Sequence, residues 1–466
     1  MKFNFSPRRQ PAVYFGERVR RDGNGDDTFT GETVHFAGDE HVLLIGPTRS
    51  GKGRSILAPN LILDTSRSAL VVDPKGELAG WTAKHREAAG HEVIYLDPFR
   101  ELAKDKRLNT AGRPAESLGF NPLRFLDPDS PSFIDDAMGI AEALVQIETH
   151  GESFWSASAQ DFVAGLVMDE CLGTGKRGLI PSLESVRRSI CATSSDIAKD
   201  ATGACDENPD TFIPNKLARF KDAANPERRD LSSIISHAQT ETRFLDSPLI
   251  AEDLAKGVNG NGVVFDFGMM KKKLMTVYLV IPPAYLVTHA KWLRLIIDSA
   301  IRAMQRVRKE DSKHDVQFIL DEFAQYGRLN SIETSIALNA GYGIKIFAVV
   351  QSLSQLKHLY RDNWETIVSG GVIASFAPRD AFTSEYLSRL SGQEYTNIKS
   401  ESRSREGRSE SVSEHLQPVL FPHELRRMAR GMMILFLPMK DGQKMWRSHA
   451  PDFSELPEIA GQISGA

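Results

Sequence analysis

Residues 41–62, HVLLIGPTRSGKGRSILAPNLI, constrain the fold more than any other stretch of this 466-residue chain. A short apolar run leads into a loop that carries Gly46, Gly51 and Lys52 and then continues into a helical pattern. Glycines let successive backbone N–H groups turn towards phosphate oxygens, a lysine reaches the β- and γ-phosphates, and a helix N-terminus adds partial positive charge. The stretch therefore predicts nucleotide binding at the end of a strand. Gly53 stands where a Ser or Thr normally supplies a hydroxyl to magnesium.

Short apolar runs rich in β-branched residues recur along the chain. Continuous apolar strands bounded by Gly, Pro or Asp indicate a sheet covered on both faces, and hence an α/β fold with parallel strands. Helical patterns such as KWLRLIIDSAIRAMQRV supply the covering layers. The predicted strands are residues 41–46, 69–74, 92–98, 263–268, 276–282, 316–322, 344–351, 371–378 and 432–438.

The strand pattern disappears between residues 125 and 248, where stretches such as FWSASAQDFVAGLVMDECL have 3.6-residue periodicity. This predicts an all-α insertion at 125–248 that divides the nucleotide-binding domain into two segments, 1–124 and 249–466. Residues 397–415 alternate Ser with Arg and Glu and have almost nothing to bury. That composition favours a mobile loop over a specific binding element.

An acidic pair follows another apolar run, in FILDE, which ends at Asp321 and Glu322. Asp321 is suited to hold the hydrated magnesium ion, and Glu322 to polarise the attacking water as a general base. The run IKIFAVVQ ends at Gln351, which can hydrogen-bond the γ-phosphate or the attacking water. Because the carboxyl ends of parallel strands open onto one crevice, we expect these side chains to lie near the glycine-rich loop.

Composition narrows the class of protein. With 57 Lys+Arg against 61 Asp+Glu, the formal net charge is -4, so any nucleic-acid contact must come from local basic patches. The three cysteines show no CxxC spacing, which indicates neither a disulfide framework nor a zinc site and favours a reducing compartment. A membrane-spanning helix needs about 20 nearly uninterrupted apolar residues, and no apolar run in this sequence is that long. The N-terminus also lacks the apolar core of a signal peptide.

Several blocks taken together resemble the type IV secretion coupling proteins of the TraG class. In chain order they are GPTRSGKG with LAPNLI, VVDPKGELAGWTA, FNPL, FWSASAQDFVAGL, VYLVIPP, FILDEFAQYGRL and AGYGIKIFAVVQSLSQL. The resemblance covers about residues 40–450. It implies a RecA-like P-loop NTPase domain with an all-α insertion domain, assembled as a homo-oligomer, a hexameric ring. Such a ring couples ATP hydrolysis, with ATP and Mg²⁺ as cofactors, to the movement of single-stranded DNA or protein towards a secretion channel.

The resemblance also makes Gly53 a family feature, because GKG at this position resembles that family's form of the loop. The metal position would then be taken by water or by a neighbouring hydroxyl, Ser50 or Ser55. The predicted catalytic residues are Glu322, Lys52 and Gln351, and Asp321 is the predicted magnesium residue, through water. The predicted nucleotide-binding residues are Gly46, Pro47, Thr48, Arg49, Ser50, Gly51, Lys52, Gly53 and Arg54.

Two features depart from the family's pattern or leave a choice open. Family members normally begin with membrane-spanning helices, and here about 40 residues without an apolar segment precede the loop. We therefore expect a cytoplasmic protein that reaches the inner membrane peripherally, through a partner. Ring ATPases commonly place an arginine against the neighbour's γ-phosphate, and the candidates are Arg328, Arg361 and Arg379.

The predicted function is that of an ATP-hydrolysing coupling protein that recruits a relaxase–DNA complex for conjugation. Its predicted partners are single-stranded DNA, the relaxase, and the secretion channel or an inner-membrane protein. One alternative is a DNA translocase of the FtsK/HerA kind without a role in secretion, against which the helical insertion argues. Another is a non-hydrolysing nucleotide-binding scaffold, which Gly53 favours.

Lys271, Lys272 and Lys273, in the predicted turn GMMKKKL, are the candidate DNA contacts. In a ring motor the nucleic acid passes through the centre, so basic residues on loops between strands are the expected contacts. An ordinary solvated hairpin tip is the competing interpretation of the same three residues.

Overall fold

The computed structural model describes residues 12–21, 27–108, 115–147, 153–257, 264–404, 407–456 and 459. The strands are β1 Val13–Arg21, β2 Asp27–Phe36, β3 His41–Ile45, β4 Ser68–Val72, β5 Glu92–Leu96, β6 Met275–Leu279, β7 Val316–Leu320, β8 Ile344–Val350, β9 Gly371–Phe376, β10 Gln393–Ser404, β11 Gly407–Pro418, β12 Met432–Met439 and β13 Gly442–His449.

The first helices are α1 Ala58–Leu63, α2 Glu77–Ala88, α3 Phe133–Leu144, α4 Ser153–Arg177, α5 Leu183–Ile190, α6 Ser194–Glu207, α7 Ile213–Leu217 and α8 Arg229–Thr242. They are followed by α9 Pro248–Ala255, α10 Pro283–Leu286, α11 Ala290–Gln305, α12 Asn330–Leu338, α13 Leu353–Tyr360, α14 Trp364–Ser369, α15 Ala381–Leu390 and α16 Pro422–Arg426.

The described residues fall into two compact units. Unit 1 comprises those of Met1–Arg67, Gln317–Ala324 and Ile332–Ala466, and unit 2 those of Ser68–Val316 and Gln325–Ser331. These divisions differ from the boundaries predicted at residues 124 and 248. The three predicted domain segments therefore stay a prediction.

Unit 1 is built on a mixed sheet in the order β2–β1–β13–β12–β9–β3–β8–β7. Strand β3 is parallel to both β8 and β9, while β12 pairs antiparallel with β9 and with β13. Every residue of β3 and β8 is buried, as expected for apolar strands covered on both faces. The register places Ile45 opposite Val350 and Ser375, so the carboxyl ends of β3, β8 and β9 lie at one edge of the sheet.

Unit 2 contains the strands β4–β6–β5, in which both pairs are parallel. All residues of β4 and β6 are buried. Within the described residues between 125 and 248 there are helices α3 to α8 and no strand. These helices bury apolar side chains: the Phe162 ring of α4 stacks on that of Phe220, in the short 3-10 helix Ala218–Asp222, with centroids 4.2 Å apart.

The predicted strand at 263–268 is wrong over its described part. Asp266 accepts a hydrogen bond from the Gly268 N–H at 2.8 Å, and the chain turns into a short 3-10 helix, Phe267–Lys271. An aspartate that bonds its own backbone two residues on favours a turn over a strand. The other eight predicted strands are present, with ends shifted by a few residues.

The mobile loop predicted for residues 397–415 is also wrong as a description of the backbone. Strands β10 and β11 form a two-stranded antiparallel sheet whose register runs from Gln393 opposite Pro418 to Ser404 opposite Gly407. Strands are recognised from alternating apolar residues, and the sequence of this segment has almost none, so a hydrophobic pattern alone misses these two strands.

The outer strands β1, β2 and β13 of unit 1 were not predicted either. In β1 the apolar run is interrupted by Gly16, whose φ of 89° lies in the left-handed region, and the register with β2 shifts between Tyr14 and Glu17. A Cβ on Gly16 would lie 2.2 Å from the His449 carbonyl oxygen, so only glycine fits there. Such a bulge breaks the alternation by which a strand is recognised.

Candidate nucleotide-binding site

The glycine-rich loop leaves β3 and is held against the end of β8. The Gly46 N–H donates to the Val350 carbonyl at 3.0 Å. Gly51 has a φ of 97° and Arg49 one of 66°, so the backbone turns through the left-handed region twice before the helix. That helix begins with a π-helical stretch, Lys52–Leu57, which continues into α1. Single π-helical turns are frequent at functional sites.

Lys52 lies inside this loop. Its side chain is buried, and Nζ donates to the carbonyl oxygens of Gly46 at 2.7 Å and Pro47 at 3.2 Å. The ammonium group is therefore fixed among backbone groups of the loop itself. This is the position from which a lysine reaches phosphate oxygens in a phosphate loop.

The hydroxyl that Gly53 cannot supply has a candidate replacement. Ser50 Oγ is buried and has no hydrogen-bond partner among the described residues. A Cβ built on Gly46 would lie 2.7 Å from this oxygen, so Ser50 Oγ faces the start of the loop. Ser55 is also buried, with its Oγ 3.1 Å from a Cβ built on Gly51. An unpartnered hydroxyl oxygen at a phosphate loop fits the coordination of a hard cation such as magnesium.

The acidic pair and Gln351 lie together at this edge of unit 1. Gln351 Nε2 donates to Glu322 Oε2 at 2.9 Å, and Gln351 directly follows the Val350 carbonyl that holds the loop. Glu322 has a φ of 57°, a conformation that is uncommon for a residue with a side chain, and its N–H donates to Asp321 Oδ1 at 3.1 Å. Strained backbone of this kind clusters at functional sites.

Two further contacts of the loop were not predicted. The Arg54 guanidinium donates to both carboxylate oxygens of Asp452, at 2.6 and 2.9 Å, and stacks over the Phe453 ring at 4.0 Å. Burial raises the pKa of Asp452, but hydrogen bonds from Arg54 and from Ser454 outweigh it and lower that pKa to about 2. Since 398 residues separate the two partners, no local pattern could indicate this pair.

Asn60 joins the helix after the loop to the first strand. Its Oδ1 accepts from the Tyr14 N–H at 2.8 Å, while Nδ2 donates to the carbonyl oxygens of Tyr14 at 3.0 Å and Ile56 at 2.8 Å. The block LAPNLI contains this asparagine, and a buried amide inside an apolar helical run is the signal that could have suggested a structural hydrogen bond.

The candidate arginines lie in different surroundings. Arg361 and Arg379 are exposed in unit 1, and Arg379 follows β9, which ends at the same edge as the loop. Arg328 belongs to unit 2, where its carbonyl oxygen accepts from Gln146 Nε2 at 2.5 Å. Action in trans stays a prediction for all three.

The three lysines predicted as candidate DNA contacts lie in different surroundings. Lys271 is only 1% exposed, its Nζ lies 3.5 Å from the Met304 carbonyl oxygen, and burial lowers its pKa. Lys273 is ion-paired with Glu92, and Lys272 is exposed beside a cleft that Arg306 also lines. Lys271 is therefore corrected from a surface candidate to a buried side chain, because its neighbours form a 3-10 turn instead of a hairpin tip.

No helix in the described part of the chain is long and apolar enough to cross a membrane.

Known proteins share this sequence pattern over most of the chain. A family model described as type IV secretory system conjugative DNA transfer matches residues 2–447. Conjugal transfer protein TraG of Rhizobium radiobacter is 26% identical over 424 residues, which cover 88% of this chain and 62% of that protein. Protein VirD4 of Agrobacterium fabrum is 27% identical over 398 residues, or 83% of this chain and 55% of that protein. This chain thus spans less than two thirds of the length of these relatives.

Solved structures share the fold. The bacterial conjugative coupling protein TrwBdeltaN70 in complex with sulphate has a TM-score of 0.66 at 16% identity and covers 97% of both chains. The plasmid coupling protein TrwB in complex with ADP and Mg²⁺ has a TM-score of 0.64 at 14% identity, covering 97% of this chain and 96% of that one. The predicted fold class, an α/β RecA-like P-loop domain with an all-α insertion, is confirmed.

Proposed function

This chain belongs to the type IV secretory system conjugative DNA transfer family, and on that premise we propose that it is an ATP-hydrolysing coupling protein that drives DNA into a secretion channel. The observation that carries the proposal is the hydrogen bond between Glu322, which follows β7, and Gln351, at the end of β8, where the loop that encloses Lys52 is also held. A general base, a γ-phosphate contact and a phosphate-binding cation at one edge are the parts that nucleotide hydrolysis requires.

In this proposal the loop backbone from Gly46 to Gly53 binds the phosphates of ATP and Lys52 neutralises their charge. Asp321 through water, and the hydroxyl of Ser50 or Ser55, would hold Mg²⁺, which neutralises the β- and γ-phosphate oxygens during transfer. The unpartnered Ser50 Oγ supports the first of these two hydroxyls. The complexes of TrwB with ADP and Mg²⁺ and with the ATP analogue ADPNP support the choice of nucleotide and metal.

Glu322 is proposed to accept the proton of the attacking water. Its carboxylate already receives one hydrogen bond, from the Gln351 amide, which fixes its orientation. The same amide can donate to the γ-phosphate instead. Loss of that phosphate would therefore change the hydrogen bonding of the Glu322 carboxylate. Gln351 thereby couples the state of the nucleotide to the base.

The assembly proposed is a hexameric ring in which an arginine of one subunit approaches the nucleotide of the next. Its proposed partners are single-stranded DNA, a relaxase–DNA complex, and a channel component or inner-membrane protein that recruits it to the membrane. Membership of the conjugative transfer family supports DNA and secretion as the setting.

Gly53 supports one second candidate, a scaffold that binds nucleotide without hydrolysing it. Steady-state ATPase assays with and without single-stranded DNA distinguish this scaffold from the ATP-hydrolysing coupling protein. We expect the parent protein to hydrolyse ATP and Glu322→Gln to lose at least about 100-fold in kcat with nucleotide affinity retained. Lys52→Ala should weaken both binding and turnover.

Glu365→Gln is the matched control, since Glu365 is an exposed glutamate of α14 and should leave both parameters unchanged. A parent protein that binds ATP but does not turn it over, with or without DNA, would establish the scaffold and reject the motor.

A further inference from the structure

The segment that follows β13 contacts the helix that begins directly after the glycine-rich loop. Arg54, two residues after Lys52, donates from Nε to Asp452 Oδ2 at 2.6 Å and from Nη2 to Asp452 Oδ1 at 2.9 Å. Its guanidinium carbon also lies 4.0 Å from the centre of the Phe453 ring. A guanidinium that donates to both oxygens of one carboxylate is held in a defined orientation, which a single hydrogen bond does not impose.

The carboxylate that holds Arg54 is itself fixed by its neighbours. Asp452 Oδ1 accepts from the Ser454 N–H at 3.0 Å and from the Ser454 hydroxyl at 2.8 Å, so the side chain caps a short 3-10 helix. Phe453 and Leu456, in and after that helix, are fully buried. All these residues and the glycine-rich loop belong to unit 1. Asp452 therefore reaches Arg54 from a well-packed part of the same unit.

The start of the helix after the loop lacks the features that usually stabilise a helix N-terminus. Gly51 stands at the capping position and has no side chain to accept a backbone N–H, and the first helical residues, KGRS, include no acidic side chain. Gly53 is less favourable inside a helix than any residue except proline. The turn is also π-helical, with the Ala58 N–H donating to the Gly53 carbonyl, and π-helical turns are rare. Contacts from outside the helix are needed to keep such a turn in one conformation.

We infer that Asp452 is a positioning residue, which by holding Arg54 keeps residues 52–57 in the conformation that binds phosphate. The inference rests on the proposed function and deepens it, since it adds to the proposed nucleotide site a residue 398 positions from Arg54. Only Gly53 separates Arg54 from Lys52, so a shift of the Arg54 backbone also moves Lys52 and the N–H groups at the helix start. Phosphate oxygens are bound by these groups in a phosphate loop, and fixing them before binding raises affinity.

Equilibrium binding of ADP with Mg²⁺ to the full chain tests the inference, because it requires no hydrolysis. Asp452→Asn removes the charge and keeps the size of the side chain, and the Kd for ADP should rise about tenfold. At saturating ATP, kcat should stay within about twofold of the parent, because bound phosphates then hold the loop themselves.

A double variant distinguishes positioning through Arg54 from two independent effects. Arg54→Met should raise the Kd for ADP at least as much as Asp452→Asn does. The variant with both changes should bind ADP no more weakly than Arg54→Met, because the two single changes remove the same interaction. Kd increases that multiply in the double variant would overturn the inference.

Asp27→Asn is the matched control. Arg447 Nη1 donates to Asp27 Oδ1 at 3.3 Å across 420 residues, so this ion pair of unit 1 also joins distant parts of the chain, but it links β13 to β2. Its loss should leave the Kd for ADP unchanged. Parent-like ADP affinity in Asp452→Asn would overturn the inference.

Hydrogen exchange in the nucleotide-free protein supplies a readout that depends on neither binding nor hydrolysis. The amides of residues 52–57 should exchange faster in Asp452→Asn and Arg54→Met than in the parent and in Asp27→Asn. A parent that binds ADP but does not hydrolyse ATP would reject the proposed motor, and the Kd values would still decide the inference. A parent that does not bind ADP would reject the nucleotide site, and unchanged exchange in Asp452→Asn would then reject the inference separately.

Discussion

At the scale of single residues, Asp253 on α9 has the most unusual chemistry outside the nucleotide site. It is 2% exposed, and its Oδ1 accepts from the Ser117 hydroxyl at 2.6 Å. Burial raises the pKa of Asp253 from 3.8 to about 7, with the nearby Asp97 adding to the effect and Ser117, Trp292 and Lys256 opposing it. The carboxyl is therefore largely protonated in the folded protein at mildly acidic pH.

The free energy of unfolding should consequently fall as pH rises from about 4 to 7. In that range folded Asp253 keeps a proton that the unfolded chain has lost, and above pH 7 neither state holds it, so the dependence flattens. Asp253→Asn mimics the neutral form and should gain stability relative to the parent by up to about 1.4 kcal/mol per pH unit within this window. Urea unfolding at several pH values measures the difference.

Asp129→Asn, at an exposed aspartate, is the control and should not change the pH profile. If the free energies of unfolding of Asp253→Asn and the parent differ by the same amount at every pH from about 4 to 7, Asp253 is ionised throughout that range.

At the scale of secondary-structure elements, the anchoring of β1 to α1 depends on one side chain. Asn60 is 2% exposed and makes three hydrogen bonds, two to the backbone of Tyr14 and one to that of Ile56. Because these backbone groups are buried, Asn60→Ala should lower the free energy of unfolding by about 2 to 4 kcal/mol. Chemical denaturation provides the measurement.

Asn225→Ala is the matched control, since Asn225 is exposed and, within the described residues, its side chain accepts a single hydrogen bond, from the Glu227 N–H in its own turn. It should change stability by less than about 0.5 kcal/mol. Equal stability losses in the two variants would contradict a specific anchoring role for Asn60.

At the scale of the whole molecule, a net charge of -4 means that the proposed DNA binding would depend on local basic groups. Since Lys271 is buried, the relevant change is Lys272→Ala combined with Lys273→Ala. If these two lysines contact DNA, the double variant should lose the stimulation of ATPase activity by single-stranded DNA. The slope of log K against log salt should also become less steep by up to about 1.4, the value for two phosphate contacts.

Lys104 and Lys106 are two exposed lysines elsewhere in the chain, and changing both to Ala should alter neither the stimulation by DNA nor the salt dependence. A Lys272/Lys273 double variant that binds and responds to DNA like the parent at every salt concentration would remove this turn from the list of DNA contacts.

Sequence alone determined the parts of this protein that depend on neighbours in the chain. The buried strands β3, β7 and β8 appear as mainly apolar runs, which are followed by the loop that contains Lys52, by the acidic pair and by Gln351. A glycine loop and an apolar run are local properties, so both are readable within a window of about ten residues.

Tertiary structure decided what depends on distant partners. Gln351 bonds Glu322 across 29 residues, Asn60 bonds Tyr14 across 46, and Arg54 bonds Asp452 across 398. The burial of Lys271 likewise depends on the packing around it, since the two residues that follow it in sequence are exposed lysines. The periodicity of a sequence indicates only which face of a helix or strand is buried. It cannot predict these hydrogen bonds, because each depends on how distant segments pack against each other in the folded protein.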